Sequence, residues 1–440
     1  MKHIFPFLKS YSKNRQNKVL TLSVFFLIWA IIFAIFEYFA PLYLESLGLN
    51  YITIGIILCG SSFISLLIDP FLGYLQGRFP AKTLLVISII LFFINISLFL
   101  YSGSIIFLLF LATNIYGIAF DLFSITTYKS VFDNSLKKEK CSNISFLESF
   151  YNVGLLLGSL IAGFVIVSNL NNAAYLCMGL LLLLLIIVIF IKKEKTKAEK
   201  FSFFSGYREM FKEIKQIGFV GLFLIFILIF VNLWDGFFFV FEPIFAKKFS
   251  DLFINETIIG GIILAIYTLP IILFAKTFGK LEDKFGEKKF IIGGLLLSAI
   301  AIYVLQITNN LWLTMISVFL MSLGTFAIVK PATEGLYTHI SEKKFGKRKN
   351  GYAAGIIEMT LSMGFLFGPL IGGFFLEVTG GFNHAFRIFA IAAFVLVLIS
   401  IFIVKEKYLF FSFYIKTKSM HKLSIIFIRL IISCLFFIIK

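Results

Sequence analysis

The stretch GKLEDKFGEKK, from Gly279 to Lys289, carries seven charged side chains among eleven residues. Apolar runs flank it on both sides, and each has about 20 residues, the length of helix that crosses a bilayer core. Glycine within such a stretch lets the chain turn tightly. The stretch therefore predicts a short polar hairpin between two membrane-spanning helices.

The composition of the whole chain supports this interpretation. Of its 440 residues, 60% are hydrophobic and only 14% are charged, with a mean hydropathy of +0.98. Soluble domains carry about 25% charged residues, because their surface needs polar cover. The apolar runs are continuous and do not alternate with polar residues, which favours helices over strands. The sequence predicts an all-α polytopic membrane protein.

Runs long enough to span a bilayer as helices occur about twelve times. They lie near residues 19–44, 53–75, 83–101, 104–128, 142–168, 173–191, 218–246, 255–278, 288–306, 311–337, 351–377 and 384–404. The tail at 405–440 is also apolar in part, and its end is predicted to be an extra hydrophobic helix or a helix on the membrane surface.

Basic residues cluster in alternate gaps between these runs. They fill the segment 1–18, the gap at 129–140, the polar gap 192–217, the quoted hairpin and KKFGKRK (343–349), and Arg78 and Lys82 lie in a further gap of this set. The gaps between these hold few basic residues. The positive-inside rule therefore places both ends of the twelve-helix core in the cytoplasm, with lysines at the lipid headgroups of the plasma membrane. Because the basic residues form no continuous face, the net charge of +17 does not predict nucleic-acid binding.

The chain contains an internal duplication. The gap at 192–217 separates six spans at 19–191 from six at 218–404. ESFYNVGLLLGSLIAGF (148–164) and EMTLSMGFLFGPLIGGF (358–374) match at a constant offset, which indicates duplication. The offset pairs Glu148 with Glu358, Gly154 with Gly364, Gly158 with Gly368, and Gly163 with Gly373. Glycines at this spacing are typical of closely packed membrane helices.

These features resemble the major facilitator superfamily. Its loop motif, G-x3-D-[RK]-x-G-x-[RK]-[RK], joins the second and third helices of each half. The second half matches at Gly279, Asp283, Lys284, Gly286, Lys288 and Lys289. The first half keeps Gly73 and Arg78, but Gly77 stands at the acidic position. The resemblance covers residues 19–404 and implies two pseudo-symmetric six-helix bundles.

The resemblance also implies a function. Family members are secondary transporters that move a small molecule by alternating access, so the chain is expected to be a monomer without enzymatic activity, cofactor or metal. Asp283 is expected to hold the cytoplasmic gate shut near the start of the helix at 142–168. Glu148 and Glu358 are interpreted as contacts between the bundles.

One glycine pattern resembles a signature of the family's exporters. The pattern, G-x3-G-P-x2-G-G, is complete in the eleventh span at Gly364, Gly368, Pro369, Gly372 and Gly373. The fifth span, where exporters carry it, has Ser159 in place of proline. The fourth span reads NIYG (114–117) where proton-driven exporters carry R-x2-Q-G.

Ionisable residues inside membrane spans are costly and mark functional sites. By the resemblance, the first, fourth, seventh and tenth spans line a central cavity. Those spans contain the candidate residues for substrate binding or proton coupling, which are Glu37, Asp121, Asp235, Glu242, Lys330 and Glu334. Asp235 is the preferred proton carrier, because it lies nearest mid-membrane. Glu37 and Glu242 lie toward the outer ends, where an acid can also reach the membrane surface. Lys330 and Glu334 are four residues apart, a spacing that allows an ion pair.

Three functions remain open at this stage. The leading one is proton-coupled efflux of hydrophobic or amphipathic compounds. The main alternative is proton-coupled uptake of a sugar, an organic acid or a peptide. A receptor or scaffold that keeps the fold without transport is the third. Direct use of ATP by this chain is not expected, because the sequence has no G-x4-G-K-[ST] phosphate loop.

Overall fold

The computed structural model describes residues 5–135, 140–189, 213–252, 255–346 and 350–404. Within these ranges the regular structure is entirely helical. The helices in chain order are α1 (Phe5–Ser46), α2 (Tyr51–Leu58), α3 (Gly60–Arg78), α4 (Ala81–Tyr101), α5 (Ile106–Asn134), α6 (Lys140–Ile166), α7 (Asn171–Ile189), α8 (Phe219–Phe245), α9 (Glu256–Phe285), α10 (Glu287–Ile307), α11 (Leu311–Ser322), α12 (Lys330–Phe345), α13 (Asn350–Thr379) and α14 (Phe382–Ile403). A 3-10 turn, Ala246–Phe249, follows α8, and a π-helical segment, Leu323–Val329, joins α11 to α12.

Twelve helical stretches of the described chain are long and apolar enough to cross a membrane. The second stretch comprises α2 and α3, which meet at Cys59, and the tenth comprises α11, the π-helical segment and α12. Every predicted run overlaps one of these stretches. The predicted all-α fold with twelve spans is confirmed. The tail at 405–440 lies outside the described residues.

Consecutive spans run in opposite directions, so the connecting turns alternate between two sides of the molecule. We call the side that carries Gly286 and the start of α1 the hairpin side. The other is the opposite side, and it carries the turns after α1 and before α9. Three helices on the opposite side begin with an asparagine cap. The side chains of Asn50, Asn255 and Asn310 accept hydrogen bonds, 2.9 to 3.1 Å long, from backbone N–H groups of the first turn.

The quoted hairpin is shorter than the sequence predicts. Helix α9 continues through Gly279 to Phe285, and α10 begins at Glu287, so the turn consists of Gly286 alone. Its φ of +87° is a conformation that side chains with a Cβ rarely adopt. The charges before Gly286 therefore lie on a helix end and not in a loop.

The six spans of each half pack mainly on one another. In the first half α1 packs on α6 and α4 on α5, and in the second half α8 packs on α13 and α10 on α14. In the described chain the main contacts between the halves are α6 with α9, α2 with α13, α3 with α13, and α1 with α8.

Glycines allow equivalent close approaches in the two halves. A Cβ on Gly158 in α6 would lie 2.7 Å from the Ile31 carbonyl oxygen of α1. A Cβ on Gly368, its partner in the duplication, would lie 2.6 Å from the Leu233 carbonyl oxygen of α8. Neither backbone oxygen can move aside without shifting its helix. Helix α6 therefore packs on α1 in the same way as α13 packs on α8. Gly154 and Gly364 face the same two helices one turn earlier.

The next pair of glycines faces the other half of the chain. Gly163 in α6 lies against Thr257 of α9, and Gly373 in α13 lies against Tyr51 of α2. Close helix contact of this kind brings backbones together without a polar side chain between them. Both glycines lie toward the opposite side, so the two halves meet closely there. Gly372 fits against the ring of Phe237, and the Pro369 carbonyl lies against Gly55 of α2.

The end of the predicted linker contacts the second half. Glu213 and Ile217, four residues apart, are buried, and Ser341 of α12 donates a 2.5 Å hydrogen bond to the Glu213 carboxylate. Lys215 and Gln216 on the other face are exposed. The last turn of the polar gap at 192–217 is therefore docked on α12.

Candidate functional site

Asp235, the preferred proton carrier, has a hydroxyl donor from the neighbouring helix. Tyr267 of α9 donates a 2.8 Å hydrogen bond to Asp235 Oδ1. The Tyr267 ring is held between the rings of Phe238 at 4.9 Å and Phe326 at 5.6 Å. Asp235 is partly accessible while the adjacent Trp234 is fully buried. The carboxyl is thus fixed in direction and still open to a proton or ligand.

Lys330 follows the π-helical segment and lies among several acids. It is close enough to Asp235, Glu148 and Glu334 for its charge to interact with each carboxylate. Its ammonium also lies over the Phe326 ring, 5.9 Å from the centroid. Because π-helical turns are frequent at functional sites, this segment marks α12 as part of the centre.

The spacing of Lys330 and Glu334 allows an ion pair, but the described structure does not show one. In the described part of the chain these two side chains make no ion pair within 4 Å. Side chains on a helix lean toward its N-terminus, so the lysine reaches back one turn to Phe326 and away from Glu334. A lysine that precedes glutamate by four residues is also the weaker order for such a pair.

Glu37 in α1 has the same kind of partner as Asp235. Tyr116 of α5 donates a 2.5 Å hydrogen bond to Glu37 Oε1. The rings of Phe36 and Phe92 lie 4.8 and 5.1 Å from the Tyr116 ring and hold it in place. Glu37 is only partly accessible and bonded inside the protein, so it does not reach the membrane surface.

A third acid, Glu148, is bonded to Tyr128. The Tyr128 hydroxyl donates to Glu148 Oε1, joining α5 to α6. Glu358 of α13 lies close enough for its charge to interact with both residues. The duplicated acids of the two halves are therefore neighbours, and Glu358 is the exposed member.

The three tyrosines that bond these acids have no distinguishing mark in the sequence. Tyr116, Tyr128 and Tyr267 each lie in an apolar run beside many aromatic residues, so nothing in the local pattern separates them. A buried tyrosine hydroxyl needs a partner, and this requirement is the signal that pairs tyrosines with intramembrane acids.

Two other predicted acids are Asp121 and Glu242. Asp121 on α5 is partly accessible and two turns from Asn114, whose amide donates to the Phe110 carbonyl at 2.7 Å. Glu242 in α8 is 1% exposed, so it does not reach the membrane surface either.

Hydrogen bonds and an ion pair join the two halves on the opposite side. Tyr38 of α1 donates to the Thr257 carbonyl at 2.7 Å, and Lys247 pairs with Glu45 at 2.8 Å. Glu377 of α13 accepts a 3.1 Å hydrogen bond from the Tyr51 N–H. With the glycine contacts of Gly163 and Gly373, these bonds close the opposite side.

The hairpin side has its own contacts. Glu287, after the Gly286 turn, lies 3.1 Å from His339 of α12, and Lys288 donates to the Ile401 carbonyl at 3.3 Å. The Lys284 ammonium lies over the Phe285 ring at 5.2 Å. The side chain of Asp283 is outside the described residues, so its gating role stays a prediction.

The weaker copy of the motif also lies on a helix. Gly73 is within α3, and Arg78 is the exposed last residue of that helix. Lys289 of the complete copy is likewise exposed, on the first turn of α10.

Comparison with known proteins identifies the family. A profile of the Major Facilitator Superfamily matches residues 19–257 and 234–438. The chain is 26% identical over 341 residues to the quinolone resistance protein NorA of Staphylococcus aureus (strain MSSA476), covering 77% of this chain and 84% of NorA. It is 24% identical over 345 residues to multidrug resistance protein 2 of Bacillus subtilis (strain 168), covering 77% and 83%.

Solved structures share the fold. The nucleoside transporter NupG superimposes with a TM-score of 0.71 at 13% identity, over 88% of this chain and 99% of NupG. A bacterial homolog of the human lysosomal transporter Spinster, solved inward-facing and unoccupied, gives a TM-score of 0.67 at 15% identity, over 88% and 96%. With its twelve spans and a profile match over most of its length, this chain belongs to the Major Facilitator Superfamily and is an integral membrane transporter, not an enzyme.

Proposed function

We propose that the chain exports hydrophobic or amphipathic cations in exchange for protons. One observation carries this proposal: acidic groups at the centre outnumber the basic group and lie beside aromatic rings. Among the described residues the acids of this centre are Glu37, Glu148, Asp235, Glu334 and Glu358, and the base close to them is Lys330. The low dielectric constant of these surroundings strengthens the electrostatic field of the acids, so the centre favours cations over anions.

Aromatic side chains supply the apolar part of this site. Phe33 of α1 is partly accessible and lies 4.6 Å from Phe120 and 6.4 Å from Tyr151, measured between ring centroids. It also lies 6.3 Å from Phe239 of α8, which brings in the second half. Aromatic faces bind organic cations and flat apolar groups together. A ligand that is both apolar and positively charged fits these surroundings.

Proton exchange follows from the same carboxyl groups. Asp235 is held by Tyr267 and lies near Lys330, while Glu37 is held by Tyr116. A proton and an organic cation both neutralise a carboxylate, so they compete for it. Binding of one then releases the other, and this competition couples their movements in opposite directions.

Rocking of the two halves would move the site from one side to the other. The bonds of Tyr38, Lys247 and Glu377 close the opposite side, which leaves the hairpin side as the route of access. The basic residues favour a cytoplasmic hairpin side in the plasma membrane, with both ends of the core inside. In the reverse conformation, Asp283 would latch the hairpin side. We propose that one chain forms the complete transporter.

The relatives support the direction of transport. Both carry drug-resistance names, quinolone resistance for NorA and multidrug resistance for the Bacillus protein. Export of a toxic compound is the simplest way for a membrane transporter to confer resistance. At 24 to 26% identity, these names guide the choice of substrate class and no further.

The test uses inside-out membrane vesicles and labelled tetraphenylphosphonium as the probe. With the membrane potential clamped and the lumen acidified, we expect the probe to accumulate in the lumen. Accumulation should disappear with a protonophore and with Asp235→Asn, and it should remain with Asp251→Asn, a matched change at an exposed acid. No accumulation, or accumulation that ignores the pH gradient, would contradict the proposal.

Lys330 favours a second candidate, proton-coupled uptake of an organic acid or peptide. Among the described residues its ammonium makes no ion pair, so it is available to a substrate carboxylate. In the same vesicles, uptake would appear as loss of a loaded organic anion from an acidic lumen, with no effect on tetraphenylphosphonium. A receptor or scaffold without transport would move neither compound.

A further inference from the structure

Glu242 is buried between the two halves without a bonding partner. Its side chain is 1% exposed, and neither carboxyl oxygen has a hydrogen-bond partner within the described ranges. It lies on α8 directly before Pro243, toward the opposite side. Buried polar groups are normally bonded, so an exception of this kind requires a reason.

The neighbour of Glu242 takes part in closing the opposite side. Tyr38 of α1 lies close enough to Glu242 for the two groups to interact electrostatically. The Tyr38 hydroxyl is already committed, because it donates to the Thr257 carbonyl of α9 at 2.7 Å. Gly260 of α9 makes room for that hydroxyl, since a Cβ there would collide with it. Tyr38 therefore cannot donate to Glu242 while the halves stay closed.

Glu242 is separate from the central site. It follows Asp235 by seven residues on the same helix, which is roughly 10 Å along the axis. Asp235 has a hydroxyl donor and a nearby lysine, whereas Glu242 has neither. The two acids thus serve different steps, even though both lie on a span predicted to line the cavity.

Charged groups on the surrounding elements leave Glu242 without compensation. Among the described residues none of them lies within hydrogen-bond distance of its carboxyl. Lys247 is bonded to Glu45, and Glu377 accepts from the Tyr51 N–H. Several titratable groups of the described chain lie toward the opposite side on the elements packed against α8. They are Tyr38, Tyr43 and Glu45 of α1, Glu256 of α9, Glu377 of α13, His384 and Arg387 of α14, and Lys247 and Lys248 beside α8.

We propose that Glu242 is a proton-operated lock of the opposite-side gate. An ionised carboxylate without a partner is far more costly to bury than a neutral carboxyl. The closed interface therefore admits Glu242 only with its proton. When the halves part, water reaches the carboxyl, takes the proton and leaves a hydrated anion. Closure then requires a proton from the opposite side before the carboxyl is buried again.

This proton differs from the transported one. It returns to the side from which it came, so it makes gate closure depend on the pH at the opposite side without crossing the membrane. Exchange at Asp235 and locking at Glu242 are separate events on one helix. The role of Glu242 therefore does not depend on which compound the protein transports.

The test measures the width of the opposite side directly. Spin labels are placed at Tyr101, the last residue of α4, and Val378, near the end of α13, which are 84% and 63% exposed. The four native cysteines are replaced, and the full chain in lipid nanodiscs is measured by pulsed electron paramagnetic resonance at about pH 6 and about pH 9. We expect the long-distance population to grow as the pH rises.

Variants of Glu242 decide the assignment. Glu242→Gln carries no titratable proton, so we expect the pH-dependent shift to disappear and the short distance to remain at both pH values. Glu242→Leu, which fills the same apolar space, should behave in the same way. Asp235→Asn should keep the shift. A wild-type chain without the shift, or Glu242→Gln with the full shift, would overturn the proposal.

Discussion

Tyr267 donates its hydroxyl proton to Asp235 across 2.8 Å, which ties α9 to α8 at the level of the central acids. Tyr267 is itself fixed, because Ser322 donates a 2.5 Å hydrogen bond to its carbonyl and two phenylalanine rings hold its side chain. One carboxyl oxygen of Asp235 is thus held in a set position. Among the described residues, Asp235 is the only acid of α8 with a hydroxyl donor.

The first prediction concerns coupling at Asp235. Asp235→Asn still accepts the Tyr267 hydrogen bond but cannot carry a proton, so transport driven by a pH gradient should be lost. Exchange of labelled for unlabelled tetraphenylphosphonium at equal pH should persist. Both rates are measured in proteoliposomes, with Asp251→Asn as the matched control. Transport driven by a pH gradient at the wild-type rate in Asp235→Asn would contradict the coupling role of Asp235.

The second prediction concerns the Tyr116–Glu37 pair. Tyr116→Phe removes the only hydroxyl that bonds Glu37 in the described chain and leaves a half-buried acid unsatisfied, at a cost of about 1–3 kcal/mol. We expect the affinity for tetraphenylphosphonium to change by about tenfold, which corresponds to about 1.4 kcal/mol. Isothermal titration measures the affinity.

A control separates this hydrogen bond from the loss of any tyrosine hydroxyl. Tyr175→Phe removes an exposed hydroxyl on α7, outside the proposed site, so it should leave the pH dependence of binding unchanged. Tyr116→Phe should alter that dependence. If tetraphenylphosphonium binding depends on pH in the same way for Tyr116→Phe and the wild type, the hydrogen bond between Tyr116 and Glu37 does not influence binding.

The third prediction concerns the ion pair between Lys247 and Glu45, which joins the halves at the opposite side. Glu45→Lys should widen the gate, because two lysines then face each other. The pair is partly exposed, so we expect an effect of only about 0.2–1 kcal/mol. The populations are read from labels at Tyr101 and Val378. If the double variant Glu45→Lys with Lys247→Glu restores the wild-type distance populations, the contact is confirmed. If the effects of the two substitutions add, the contact is refuted.

The fourth prediction concerns helix packing. Gly158→Ala places a Cβ 2.7 Å from the Ile31 carbonyl oxygen of α1, so it should destabilise the protein by about 1–3 kcal/mol. Gly179→Ala on α7 is the matched control, because a Cβ there meets nothing within 4 Å. Thermal unfolding of the detergent-solubilised protein should show a lower midpoint for Gly158→Ala alone. Equal midpoints would contradict the close approach of α6 and α1.

Sequence reasoning predicted the elements that depend on local chemistry. Spans follow from run length, and the central acids follow from the rarity of charge inside a membrane. The hairpin glycine was predicted, but its position was not resolved, since Gly279 is helical and Gly286 makes the turn. Both glycines satisfy the same motif, and only the backbone separates them.

Partners across helices could not be predicted in the same way. The chain has 17 tyrosines and 59 phenylalanines. In the sequence, Tyr116, Tyr128 and Tyr267 therefore cannot be told from other aromatic residues until the neighbouring helices are known. The π-helical segment before Lys330 has no sequence mark either. The lysine that follows this segment leans back over Phe326, so the spacing of Lys330 and Glu334 alone did not reveal where its ammonium lies.

The exchange of protons for an organic cation is tested most directly by proton movement itself. Inside-out vesicles with an acidic lumen carry a luminal pH dye, and tetraphenylphosphonium is added outside at clamped membrane potential. The account predicts that the lumen becomes alkaline at a rate that depends on the probe and disappears with Asp235→Asn. A luminal pH that stays constant while the probe enters would contradict it.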